Sequence, residues 1–209
     1  MYNNCIYGVH YCSIAESFDI QSTSIKGFLE MNNRVLDDIH SKFVDINKEL
    51  FNLWRVEVLF SWRWWLNLAL TIIPWIIWMR YRRREDTIRM LFTAFVIAVV
   101  TDFLDIIGIS YGLWHYDWTL LPLFPIYIPW NFSLFPVLIM FMFQTMPKVS
   151  PIIKALGFGG FSSYLMEPVF QKIGMYHNIH WSYFNSFIIY VPLYLFFFWV
   201  YKQTEKCKI

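Results

Sequence analysis

Charge is what this chain has least of. Only 15% of its 209 residues are Asp, Glu, Lys or Arg, against 57% hydrophobic; soluble domains carry about 25% charged residues. The deficit is uneven. Most acids precede Val58 and most apolar mass follows it, which predicts a polar N-terminal segment and a membrane domain. A net charge of +2 offers no basic footprint, so no nucleic-acid partner is expected. Cysteine is scarce too: Cys5, Cys12 and Cys207 form no metal spacing. A Cys5–Cys12 disulfide requires an extracytoplasmic N-terminus, and free thiols are the simpler expectation. No basic n-region with an apolar core opens the chain, so the first spanning helix is expected to serve as insertion signal. GFGG inside an apolar run lacks a strand-to-helix context for dinucleotide binding, no nucleophile elbow marks a serine hydrolase, and no internal repeat stands out. No cofactor is expected, and no residue is assigned as a metal ligand.

What is present follows in order. Residues 1–27 are mixed and aperiodic, expected to be poorly ordered. Within 28–58, Leu36, Ile39, Phe43, Ile46, Leu50 and Leu53 recur on a heptad period, with charged residues between them, which predicts an amphipathic helix. Its polar face is not strongly basic. Packing on the chain's own body or a homodimer contact is therefore favoured over a lipid-interface helix. The 59–201 region reads as a transmembrane bundle. Phe60–Met79 is the first span, with Trp62, Trp64 and Trp65 at one end and Trp75 and Trp78 toward the other as interfacial belts. Pro74 and Pro136 should kink their helices, and Arg63 can snorkel. Met90–Ile109, Trp130–Met146, Ile152–Phe170 and Phe184–Tyr201 supply four more spans. Arg80, Arg82, Arg83, Arg84 and Arg89, with Lys148, Lys154 and the basic tail 202–209, then fall on one side. The positive-inside rule makes that side cytoplasmic and the N-terminus external, in the cell membrane. A membrane-dipping segment near 118–130 would alter the count. Gly157, Gly159, Gly160, Ser162 and Ser163 predict close helix contact, and Gln144 a helix-to-helix hydrogen bond.

Carboxylates inside a span usually face a cavity or a partner. Asp102 and Asp105, at i and i+3, share a helix face. With Glu167 they are the candidate catalytic acids, all toward the external end. Trp114, His115, Tyr116, Trp118, Trp130, Asn131, His177 and His180 gather at the same end as candidate ligand-binding groups, with Asp117 in the same loop as His115 and Tyr164 as a further aromatic. Three readings stay open. A carboxyl in an aromatic cavity could donate a proton, with ring faces stabilising a cation at about 0.5–2 kcal/mol each. The acids and some histidines could bind a divalent metal, through unspecific DxxD and HxxH spacings. Or the acids could simply pair with indole, phenol or arginine donors and fix the helices.

The runs FSWRWWLNLALTIIPWIIW, DFLDIIGISYGLWHY, LLPLFPIYIPWNFSLFPVLIMFMFQ, YLMEP, MYHNIHW and YFNSFIIY together resemble an uncharacterised family of small multi-pass membrane proteins of Gram-positive, spore-forming bacteria. The resemblance covers about residues 50–201. It implies a membrane-helix bundle preceded by a helical segment, and no reaction. Asn131 departs from it, since the family commonly has Asp after the last proline. A weaker similarity to membrane lycopene and terpene cyclases rests on Glu167-Pro168 and the Trp/Tyr- and proline-rich loops.

The expectation is therefore an all-α integral membrane bundle of about five transmembrane helices with an N-terminal amphipathic helix. Its role is structural or lipid-binding, with an outward polar-aromatic pocket and membrane lipid as partner. The alternative is a cyclase-like membrane enzyme using acid catalysis. A coupled transporter is disfavoured without an inverted repeat.

Overall fold

The computed structural model describes residues 33–122, 126–145 and 148–206. The 1–27 segment, the start of the expected amphipathic helix and the last residues of the basic tail lie outside the described residues. The chain divides into two compact units, Met1–Asn52 and Leu53–Ile209. In the first, helix α1 covers 33–53. Its polar face carries exposed i,i+3 and i,i+4 ion pairs, Lys42–Asp38 at 2.6 Å and Lys48–Asp45 at 3.0 Å. Its apolar stripe is exposed at Leu36, Ile39, Phe43, Ile46 and Leu53.

The second unit is almost wholly helical. A π-helical turn, Trp54–Val58, leads through Phe60, at φ 61°, to Ser61. The Ser61 hydroxyl accepts from Trp64 N and caps helix α2, Trp62–Tyr81. A short 3₁₀ turn, Arg84–Asp86, opens into α3, Thr87–Ser110. A π-helical turn, Pro129–Leu134, runs into α4, Phe135–Thr145. The fourth expected span is one helical run of three parts: α5, Pro151–Phe161; a π-helical turn, Ser162–Met166; and α6, Glu167–Lys172. Helix α7 is Tyr183–Lys206, so the expected tail is helical where described.

Among the described residues, two stretches, Arg84–Ser110 and Tyr183–Thr204, are long and apolar enough to cross a membrane. The other three expected spans are helical, but α2 carries Asn67, Arg63 and many tryptophans, and the remaining two contain π-helical turns.

The core is a ring-on-ring cluster. Phe135 meets Phe158 edge-on at 4.9 Å, and Phe158, Tyr194 and Phe197 are fully buried beside Met90 and Ile97. Trp78 joins this core rather than an interfacial belt. A Cβ on Gly159 would come within 3.0 Å of Val191 and 3.2 Å of Phe187, so this glycine sets the approach of α5 to α7. Gly157 and Gly160 face open space instead. The unit also buries polar side chains beside this core and exposes large apolar ones. Asn67, Thr93, Asn131, Ser133, Ser162 and Ser163 are buried, whereas Ile73, Phe92, Phe95, Val99, Phe103 and Trp199 are exposed.

The ends of the unit are distinct. At the arginine end, Arg89 pairs with Asp86 and Gln144 donates to Tyr81 O at 3.4 Å, the expected link between helices. At the opposite end, α2 holds the proline-rich loop. Trp64 Nε1 donates to Leu120 O at 3.0 Å, and Tyr127 OH donates to buried Asn67 at 2.7 Å. Asn67 in turn donates to Trp118 O. Arg63 donates to Ile173 O at 3.1 Å and lies over the Trp118 ring at 4.5 Å, a loop clamp rather than a snorkelling side chain.

Candidate functional site

Helices α3 and α6 end alike. Gly112 and Gly174 adopt positive φ, 65° and 72°, and Leu113 N and Met175 N reach back to Gly108 O and Phe170 O. These glycine caps turn each helix into a short strand, β1 at Trp114–Tyr116 and β2 at Tyr176–Asn178. The strands pair antiparallel with His115 opposite His177 and Tyr116 opposite Tyr176. The sequences correspond: Gly112-Leu-Trp-His and Gly174-Met-Tyr-His. Asp105 precedes the first glycine by the same interval as Glu167 precedes the second. The chain thus contains a repeated helix–glycine–strand unit that was not apparent from the sequence, because only a few side chains in it are shared.

Alternation along the strands sorts side chains to two faces. Trp114, Tyr116 and Tyr176 turn to a semi-enclosed cavity of about 170 Å³, whose wall includes both Asp105 and Glu167. Asp105 is saturated with donors. Its Oδ1 accepts from Trp114 Nε1 and from Tyr116 OH, both at 3.1 Å, and its Oδ2 accepts from Asn131 Nδ2 at 2.6 Å. The same Asn131 amide donates to Asp102 at 2.8 Å. One amide thereby separates two carboxylates that share a helix face. Asp102 stands behind Asn131 rather than in the cavity wall.

Glu167 is less engaged. Tyr190 OH donates to its Oε1 at 3.0 Å, the Ser186 hydroxyl is its other partner, and buried Oε2 has no hydrogen bond of close geometry. Ser186, whose hydroxyl accepts from Trp181 Nε1 at 2.9 Å, shares the cavity wall with it. Burial, and then the charge of Asp105, push the Tyr116 hydroxyl well above the usual phenol range. Burial first, then Glu167 and Asp105, raise Tyr176 in the same way. Both therefore remain neutral donors. Tyr116 stacks on Tyr127 at 4.3 Å, which closes the proline-rich loop over this wall.

No family model, curated protein or solved structure matches this chain.

Of the expected residues, Asp105, Glu167, Trp114, Tyr116, Trp130 and Asn131 meet at the cavity. His115, Asp117 and His177 cluster on the other face of the ribbon. Trp118 lies under Arg63, His180 is exposed with its backbone N bonded to Leu113 O, and Tyr164 is exposed against Phe187. Sequence reasoning missed Tyr190, Tyr176, Tyr127 and Trp181, since nothing local distinguishes them from other aromatics. It also missed Gly108. An added Cβ there would lie 2.0 Å from the Trp114 ring, so this glycine is what admits the indole to Asp105. Its place one turn after Asp105 was a usable signal.

Chemically, the cavity combines apolar walls, aromatic faces and two carboxylates of unequal engagement. It suits a largely apolar molecule carrying one polar or cationic group.

Proposed function

We propose that this chain is a five-span membrane protein of the cell membrane, N-terminus outside and C-terminus cytoplasmic, that binds a lipid or isoprenoid in its external-end cavity. The polar end of the ligand meets Glu167 and its apolar part lies along Leu104, Phe135, Ile189 and Leu193. The observation that carries this reading is Glu167, a buried carboxylate in the wall of a largely apolar cavity, with only Tyr190 and Ser186 beside it and its Oε2 without a close hydrogen bond. An unsatisfied buried acceptor costs about 1–3 kcal/mol, which a ligand donor would recover. Membrane residence is supported by the two apolar helices and by the exposure of large apolar side chains around a polar interior. The basic residues at one end supply the orientation.

The aromatic faces beside Glu167 in the same cavity favour acid catalysis as the second reading, with the carboxyl protonated. Glu167 would deliver a proton to an alkene of the ligand, and the carbocation would lose one elsewhere, with Trp114 and Trp130 facing the charge.

The test is mass spectrometry of lipids extracted from protein purified in mild detergent. A stoichiometric lipid or isoprenoid is expected with the wild type, and its loss with Ile189→Trp, which fills the cavity without touching the acids. Glu167→Gln should weaken retention. Wild-type protein that carries no bound lipid, even after incubation with membrane extract, refutes the reading. Catalysis requires in addition that the wild type alone convert the copurified molecule.

A further inference from the structure

The face of the ribbon that points away from the cavity carries its own constellation. His115 and His177 are cross-strand partners, one from each copy of the repeated unit, and their rings stack at 5.1 Å. Asp117 follows β1 and its carboxylate forks between them. Oδ1 lies 3.0 Å from His115 Nε2 and Oδ2 lies 2.8 Å from His177 Nδ1. The three candidate ligand atoms all fall within 4.8 Å of one another, the one such His/Cys/Asp/Glu group among the described residues.

We propose that His115, Asp117 and His177 form a site for a divalent transition metal of the zinc type. Two imidazole nitrogens and one carboxylate oxygen are ligands such ions prefer over calcium or magnesium. Bonds of about 2.0–2.2 Å require ligand atoms a little over 3 Å apart. A set that already lies within 4.8 Å needs only to contract by rotation about the side-chain bonds. Three protein ligands leave a fourth position for water or a small external ligand. The side chains are partly exposed, at 43%, 34% and 44%, while the His177 Nδ1 atom itself is buried.

The scaffold favours the site. Glycine caps fix where both strands start, and the neighbouring Trp114, Tyr116 and Tyr176 anchor the ribbon from its other face. An ion here joins the α3–α4 and α6–α7 connections by direct bonds and ties down the rim of the cavity. The proposal does not depend on what the cavity binds.

The experiment uses the full chain in detergent, stripped with a chelator and titrated with zinc by calorimetry, and with cobalt by visible absorption. Saturable one-to-one binding is expected, with a cobalt spectrum of four- or five-coordinate intensity and a rise in thermal midpoint on adding zinc. His177→Ala and Asp117→Asn should each weaken binding at least about tenfold, the lower bound for disturbed metal sites. His40→Ala, on α1, should leave it unchanged. Should a variant fail to fold, the wild-type cobalt spectrum still decides. Absence of saturable binding, a six-coordinate spectrum, or equal affinity in all variants overturns the proposal.

Discussion

Asn131 and Gly108 govern the acids more than the acids do themselves. Two carboxylates one turn apart repel unless something intervenes, and Asn131 intervenes with both hydrogens of one amide. Gly108 lets Trp114 lie flat enough to reach Asp105. Gly108→Ala should therefore drive the indole outward and break its bond to Asp105. The expected cost is about 2 kcal/mol, typical of overpacking, read as a lowered thermal midpoint with loss of near-ultraviolet dichroism from tryptophan. An unchanged midpoint would show that Trp114 does not occupy this place. The sequence marked Asp102 and Asp105 as one pair by their spacing. It could not tell which of them faces the cavity, because that depends on Asn131 approaching from the π-helical turn before α4.

Among the elements, π-helical turns are the features the sequence hid. Pro129–Leu134 contains Asn131, and Ser162–Met166 ends at Glu167. Such turns widen the helix locally and re-aim side chains, often beside functional sites. Apolar periodicity cannot register one extra residue inside an apolar run. Helix extents, by contrast, agree with the hydrophobic runs to within a few residues, since run length alone sets them. The α5–α7 contact tests the packing reading. Gly159→Leu must displace Val191 and Phe187, and should lower the thermal midpoint far more than Gly157→Leu, whose Cβ meets open space. Equal effects would remove Gly159 from the contact. On α1, the exposed stripe is open to test as a self-association surface. Ile39→Glu with Phe43→Glu should convert any dimer seen by analytical ultracentrifugation to monomer, whereas unchanged mass would exclude this helix as the contact.

For the whole molecule, an apolar exterior around buried Asn, Ser, Asp and Glu is the reverse of the pattern that water selects. On the proposed topology, a single cysteine introduced at Asp117 should react with an impermeant thiol reagent in intact cells. One at Arg83 should react only after the membrane is opened. The opposite labelling would invert the orientation and with it the assignment of the cavity to the external side. The sequence by itself determined the helical class and the extents of the helices, because run length and scarce charge are additive properties of local segments. Only the tertiary structure decided the site. Which acid is saturated, which keeps a free oxygen, and which histidines meet all depend on a repeated glycine-capped turn bringing two distant loops into one ribbon. Contacts between segments far apart in the chain leave no periodic trace in it.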